Sequence, residues 1–312
     1  MTPATKPKVT HTLGFGIFIT LLGGSLWGIS GSSMQYLTVY VGTSPALVTR
    51  LRVLFAGIIY LAYLLLFCRP VLRELFQSPS AILWVALLAF ALYSNQLFYA
   101  KAVKATNAGT ATVLQMLECV FALVFVCCQK RRLPHTREIV AVVLAAIATL
   151  LIATRGNPGS LSMPLDGLVW GLLAALASAA YILVPRQSGL FERFGAVPVV
   201  GVAMVLSILL ATPAYLLQGG EILAVHRTLA SLTLFDWGIF LFGLVILGTI
   251  VGFVAYLYGT SVVGPVRGAL LGAIEPVSAT VMAALFLGTV FTGYDIAGMI
   301  VMCLMVFLLS KE

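Results

Sequence analysis

The sequence predicts an all-α polytopic membrane protein, with ten transmembrane helices arranged as two inverted five-helix repeats. Three observations predict it. Of 312 residues, 61% are hydrophobic and only 9% charged, with a mean hydropathy of +1.09; soluble domains carry about a quarter charged residues. Apolar runs of the roughly 20 residues that a helix needs to cross a bilayer recur along the whole chain. The stretch Tyr256–Gly288 is also shadowed 157 positions earlier, so that Tyr256 falls on Tyr99 and Glu275 on Glu118. A repeat of this length means one plan used twice.

Other classes are excluded by the same composition. The apolar runs are continuous rather than alternating, which rules out a β-barrel. The net charge of +8 comes from 18 basic residues scattered over short loops without aromatic interleaving, so nucleic acid is not an expected partner. The five cysteines (Cys68, Cys119, Cys127, Cys128, Cys303) lie in or beside apolar runs with no CxxC pair. Neither a disulfide framework nor a metal site is indicated, and no cofactor is expected.

In chain order, a polar tail, Met1–Thr12, carries Lys6 and Lys8 ahead of the first run, Leu13–Leu37. That run is too long for a signal-peptide core and lacks a small-residue cleavage site, so it reads as a retained span. Further spans follow at Ala46–Phe67, Ala81–Ala102, Ala108–Cys128 and Arg137–Thr154. The polar break Arg155–Pro164 closes the first half and places the repeats at 1–155 and 156–312. The second half gives Asp166–Pro185, Ala196–Leu217, Trp237–Gly259, Pro265–Leu287 and Gly293–Leu309.

Basic residues fix the orientation, because they concentrate in cytoplasmic loops. With the N-terminus inside, 11 of them fall on inner segments and 4 (Lys101, Lys104, Arg155 and Arg227) on outer ones. Both termini are therefore expected in the cytoplasm. Five spans per half is an odd number, so the second half enters the membrane from the opposite side. Inverted repeats are related by a pseudo-two-fold axis in the membrane plane, which places their sites near the midplane.

Glu118 and Glu275 stand near the centres of their spans. A carboxylate at that depth costs at least a few kcal/mol and is normally turned inward. It can relay protons, bind a cation or contact a substrate amine; equally, a protonated acid can hydrogen-bond helices together. Gln115 lies one turn before Glu118 on the same helix face, with Thr112 extending the polar stripe, whereas the matching position in the second half is Gly272. Pro276 is expected to break the helix at Glu275, while Cys119 leaves the fourth span regular. In the first span Ser25, Gly28, Ser32 and Gln35 follow helical spacing, with Trp27 beside them; small residues of this kind also serve close helix packing. Tyr99 and Tyr256 suit either an interfacial belt or the cap of a cavity. Arg50, Arg52 and Arg267 read as interfacial anchors whose stems snorkel, or as ion-pair partners, with capture of a substrate carboxylate as the alternative. No GxSxG, HExxH or P-loop signature is present, and Asp166, Glu221, Asp236 and Asp295 are isolated.

These features converge on one resemblance. The segments LGGSLWGISG (22–31), TRLR (49–52), NAGTATVLQ (107–115), RRLPHTREI (131–139) and GPVRGALLGAIEPVSA (264–279) resemble the EamA-type ten-helix permeases of the drug/metabolite transporter superfamily. Cys119 stands where such proteins often carry Pro. The resemblance implies movement of amino acids, amines or related metabolites across the inner membrane.

The expected function is therefore secondary transport of a small metabolite, more readily export, by alternating access and with possible proton coupling. The alternatives are an uncoupled uniporter and a membrane-embedded enzyme, which would gather acids or histidines near an interface. Candidate substrate-binding residues are Trp27, Gln35, Tyr99, Gln115, Glu118, Tyr181, Tyr256 and Glu275. The expected partners are a small-molecule substrate, the lipid bilayer and protons, with the chain a monomer or weak homodimer. In a variant lacking native cysteines, a Cys at position 160 should be labelled from outside intact cells and one at position 5 should not; the reverse pattern would overturn the orientation.

Overall fold

The computed structural model describes residues 13–157, 160–217 and 222–310. The tail bearing Lys6 and Lys8, together with Glu221 and Lys311, lies outside the described residues. Among the described residues ten long helices carry the fold: α1 (Leu13–Tyr40), α2 (Pro45–Phe67), α3 (Pro79–Ala105), α4 (Ala108–Gln129), α5 (Thr136–Thr154), α6 (Leu165–Ser188), α7 (Ala196–Leu217), α8 (Leu234–Val263), α9 (Pro265–Gly272 continued by Ile274–Leu287) and α10 (Gly293–Leu309). No strand occurs among them. Nine are long and apolar enough to cross a bilayer, and α10, with 17 residues, sits at the lower limit of that length. The chain is a polytopic all-α membrane protein.

Helix starts follow local chemistry. Ser44 and Ser78 accept the amides of Leu47 and Ala81, each followed by a proline at the first helical position, where its missing N–H costs nothing. Asn107 accepts the Thr110 amide at 2.8 Å and opens α4. Thr233 with Asp236 and Thr292 with Asp295 form reciprocal caps on α8 and α10. The segments Arg69–Phe76 and Ile222–Ser231, apparent loops in the sequence, are short helices outside the spans.

Outward faces are apolar: Phe67, Phe90, Leu209, Phe242, Leu285 and Phe286 are all well exposed. A belt of such residues is unsuited to water but matches lipid tails. Inside, the two halves interlock rather than forming separate domains. Helix α3 lies along α6 and α1 along α8; α2 packs on α7, α5 on α10, α1 on α9 and α4 on α6. Exchanging the halves turns this set of pairs into itself.

Small residues permit the closest of these approaches. A Cβ added at Gly23 would lie 2.6 Å from the Tyr256 amide nitrogen, and one at Gly16 would lie 2.6 Å from Val262 Cγ1. Gly259 faces the Thr20 backbone, and Gly243 and Gly248 face Ser33 and Ser30. Gly23→Ala should therefore force α1 and α8 apart and destabilise the protein by about 1–3 kcal/mol. Gly14, with nothing within 4 Å of an added Cβ, is the control: Gly14→Ala should be neutral or stabilising by up to about 1 kcal/mol. Thermal unfolding of the two detergent-purified variants would show equal effects if the close approach were unimportant.

Candidate functional site

Helix α4 is not regular. It comprises Ala108–Gln115 and Glu118–Gln129, separated at Met116–Leu117. Around the break the amides of Leu117, Cys119 and Val120 bond three residues back, to Leu114, Met116 and Leu117. Such tightened turns inside a helix often mark a functional position. Helix α9 breaks at the matching place, where the Ala273 amide bonds the Leu270 carbonyl before Ile274–Leu287 resumes. Pro276 accounts for a break in α9, but α4 breaks without a proline, which corrects the expectation that Cys119 leaves it regular.

Each carboxylate sits at its break. Glu118 opens the second half of α4, and Glu275 is the second residue of the second half of α9. Both are half-buried. The Ser178 hydroxyl of α6 donates to Glu118 Oε2. No described residue hydrogen-bonds or ion-pairs with the Glu275 carboxylate. Glu118 and Arg52 lie within electrostatic range of Glu275. Gln115, also half-buried, makes no side-chain hydrogen bond to a described residue.

An aromatic wall runs beside the acids. Trp27 of α1 packs on Tyr256 with ring centroids 4.6 Å apart, and edge-on against Phe253 at 5.1 Å. Phe253 in turn meets Tyr181 of α6 edge-on at 6.1 Å. Tyr256 is tethered by its hydroxyl, which donates to the Gly268 carbonyl at 3.1 Å. Tyr181 and Tyr256 both lie within electrostatic range of Glu118. The structure thus brings together Trp27, Tyr181, Tyr256, Glu118 and Glu275. Aromatic faces and carboxylates in one wall suit an organic cation.

Gln35 is placed elsewhere, and Tyr99, although within electrostatic range of Glu275, is tied into a helix contact. Tyr99 is buried, with its hydroxyl 2.9 Å from Thr112 Oγ1. The Thr112 hydroxyl already donates to the Ala108 carbonyl, so Tyr99 is the donor and locks α3 to α4. Gln35 is buried with both ends of its amide engaged: its oxygen accepts the Ala108 amide at 2.8 Å, and its nitrogen donates to Thr289 Oγ1 at 2.8 Å. It clasps α1 to the start of α4 and the end of α9. The same end of the bundle is fastened by Tyr36 donating to Asp236 at 2.7 Å and Tyr40 to the Leu287 carbonyl. A cavity of about 380 Å³ lies beyond it, lined by Thr43, Ser44, Tyr215 and Thr228 among others, and contains none of the site residues.

Arg52 is the residue the sequence misplaced. Instead of snorkelling at an interface it is 6% exposed, and its Nε donates to Thr249 Oγ1 at 2.8 Å. Tyr99 and Glu275 lie within its electrostatic range. Arg50 does behave as an anchor, with its guanidinium 5.3 Å from the Tyr215 ring centre, and Arg267 is exposed.

Comparison with known proteins agrees with this architecture. The chain matches the EamA-like transporter family twice, over residues 14–154 and 165–311. It belongs to that family, and it is a membrane transporter. A relative from Salmonella typhimurium strain LT2, named as the uncharacterized inner membrane transporter YicL, is 30% identical over 297 residues, covering 95% of each chain. One crystal structure shares the fold at a TM-score of 0.59 with 18% identity, over 94% of this chain and 96% of that one.

If the aromatic wall contacts substrate, Trp27→Ala and Gln115→Ala should reduce transport at least several-fold while leaving the amount of folded protein near normal. Gln35→Ala, which removes a clasp, should instead lower thermal stability. Unchanged transport in the first two variants, measured by uptake into liposomes, would assign them to packing.

Proposed function

We propose that the chain exports a small amine-bearing metabolite, an amino acid or amine, from the cytoplasm across the inner membrane, coupled to protons taken up by Glu118 and Glu275. The observation that carries this reading is the pair of half-buried carboxylates at matched helix breaks, facing aromatic rings and engaged in no ion pair. An ammonium group fits between such rings and acids, while ring faces exclude an anion. The match of both repeats to one transporter family supports dividing the chain near 155, and a relative whose name places it in the inner membrane supports that location.

Direction rests on where the helices are fastened. Gln35, Tyr36 and Tyr40 close the end of the bundle that the basic-residue distribution assigns to the outside. Residues 108–114 of α4 are buried there, whereas residues from Gln115 to Leu123, apart from Leu117, are only half-buried. An outward-closed arrangement of this kind receives substrate from the cytoplasmic side. For export by proton exchange, the acids release their protons when substrate binds and regain them on the outer side. A ligand drives such a change only through unequal affinity for the two states.

The test is substrate flux in liposomes with and without an imposed pH gradient. Wild-type flux should follow the gradient. Glu275→Gln and Glu118→Gln should each abolish that dependence, because both helices break at the acid. Wild-type flux that ignores the gradient, together with full activity of both variants, would make the protein a uniporter whose acids only join helices.

A further inference from the structure

We infer that Arg52 binds a carboxylate on the transported molecule, so that the site selects amino acids over the corresponding amines. The inference rests on the reading of the aromatic and acidic groups as an amine site.

Four observations support it. Arg52 is 6% exposed, yet only its Nε is engaged. No described residue accepts a hydrogen bond from its two terminal nitrogens, and no ion pair holds it. These nitrogens are not among the fully occluded polar atoms without a partner in the described residues, which are Trp27 Nε1, Thr43 Oγ1, Thr49 Oγ1, Tyr93 OH and Gln96 Oε1, so they are not wholly enclosed. Finally, Glu275 is one of the charges within electrostatic range of Arg52, which links the cation to the amine site.

The orientation of the guanidinium follows from the backbone of α8. Residues Ile239–Val251 form wide π-type turns, and the Thr249 hydroxyl donates to the carbonyl of Leu244, five residues back, at 2.8 Å. Its proton is thereby committed, so its lone pair is what faces Arg52 Nε. With Nε fixed, the planar group presents the two terminal nitrogens as a fork, the geometry that binds a carboxylate through two parallel hydrogen bonds. A buried cation with idle donors is costly, and a ligand carboxylate would relieve that cost. With the ammonium group at Glu275 and the carboxylate at Arg52, the two ends of a zwitterion would each meet an opposite charge.

The experiment uses the full-length purified protein and reads ligand-induced thermal stabilisation, which reports affinity by mass action. The probes are L-amino acids, each paired with its decarboxylated amine and its carboxamide. In the wild type, at least one amino acid should bind about tenfold or more tightly than its two partners, the discrimination that two charge-assisted hydrogen bonds sustain. Arg52→Gln should erase that preference without abolishing amine binding. Arg52→Lys, which keeps the charge without the fork, should recover only part of it. If Arg52→Gln does not fold, Thr249→Val serves instead: it keeps the side-chain volume, frees the guanidinium and should weaken the preference. Equal binding of amino acid and amine by the wild type would overturn the inference and leave the amine site standing. A preference that survives Arg52→Gln or Thr249→Val would overturn it as well. Binding of neither class would overturn both readings together.

Discussion

A bilayer interior offers no water to a backbone N–H or C=O, so every such group must find a partner within the protein. Helices meet this demand along most of the chain. Several hydroxyls inside the spans comply too: those of Thr20, Thr38, Thr149 and Ser207 donate to carbonyls four residues back in their own helices. Irregular backbone is tolerated at membrane depth only where it is enclosed by protein or lines a cavity. The breaks in α4 and α9 obey that condition. Each is bridged by bonds to the third residue back and lies against the inner helices, and each carries one of the two central carboxylates.

The placement of charge follows from the same demand. Glu138, Asp166, Asp236 and Asp295 all stand in the first turns of helices, where exposed amides favour an acid. Glu74 pairs with Arg193 at 3.0 Å outside the spans. Glu118 and Glu275 also stand in first turns, but of the inner segments that resume after the breaks in α4 and α9, and Arg52 lies within α2. Charges held at such depth are typically functional; the two acids lie within electrostatic range of the aromatic wall, and Arg52 within range of Glu275. Stability alone would favour apolar replacements there.

How much of this was legible depended on whether the signal was local. Spans were legible because twenty apolar residues declare themselves without reference to anything else, and most boundaries fell within a few residues of those found. The carboxylates were legible because two acids at one repeat spacing stand out in an apolar chain. The α4 break was not, since no proline marks it and its cause lies in the turn geometry at residues 114–120. Arg52 was misread because its distance along the chain from the end of the span suggested an interface, while its true surroundings come from Thr249, 197 residues away. Ser178 escaped notice for the same reason: only the packing of α6 on α4 reveals its bond to Glu118. Gln35 and Tyr99 had the right chemistry for a cavity, but their hydrogen bonds between helices, to Ala108, Thr289 and Thr112, leave no mark in the local sequence.

Symmetry in the helix pairs coexists with asymmetry in the side chains, and the combination bears on how such a bundle can alternate. Gln35 joins the far end of α1 to Thr289 just beyond α9. Gln187, near the far end of α6, joins Gln129 at the end of α4 through two bonds of 2.8 and 3.0 Å. Exchange of the halves carries α1–α9 onto α6–α4, so these clasps occupy related places at opposite ends. The first is half-buried and backed by Tyr36 and Tyr40, whereas the second is exposed. Water competes for an exposed amide pair far more than for a buried one, so the two ends differ in strength although the backbone plan is shared. A bundle of this design needs no hinge domain to reverse its opening. On the proposed reading, unequal clasps on equivalent helix pairs set which end rests closed, and ligand and proton occupancy of the central acids would shift that balance.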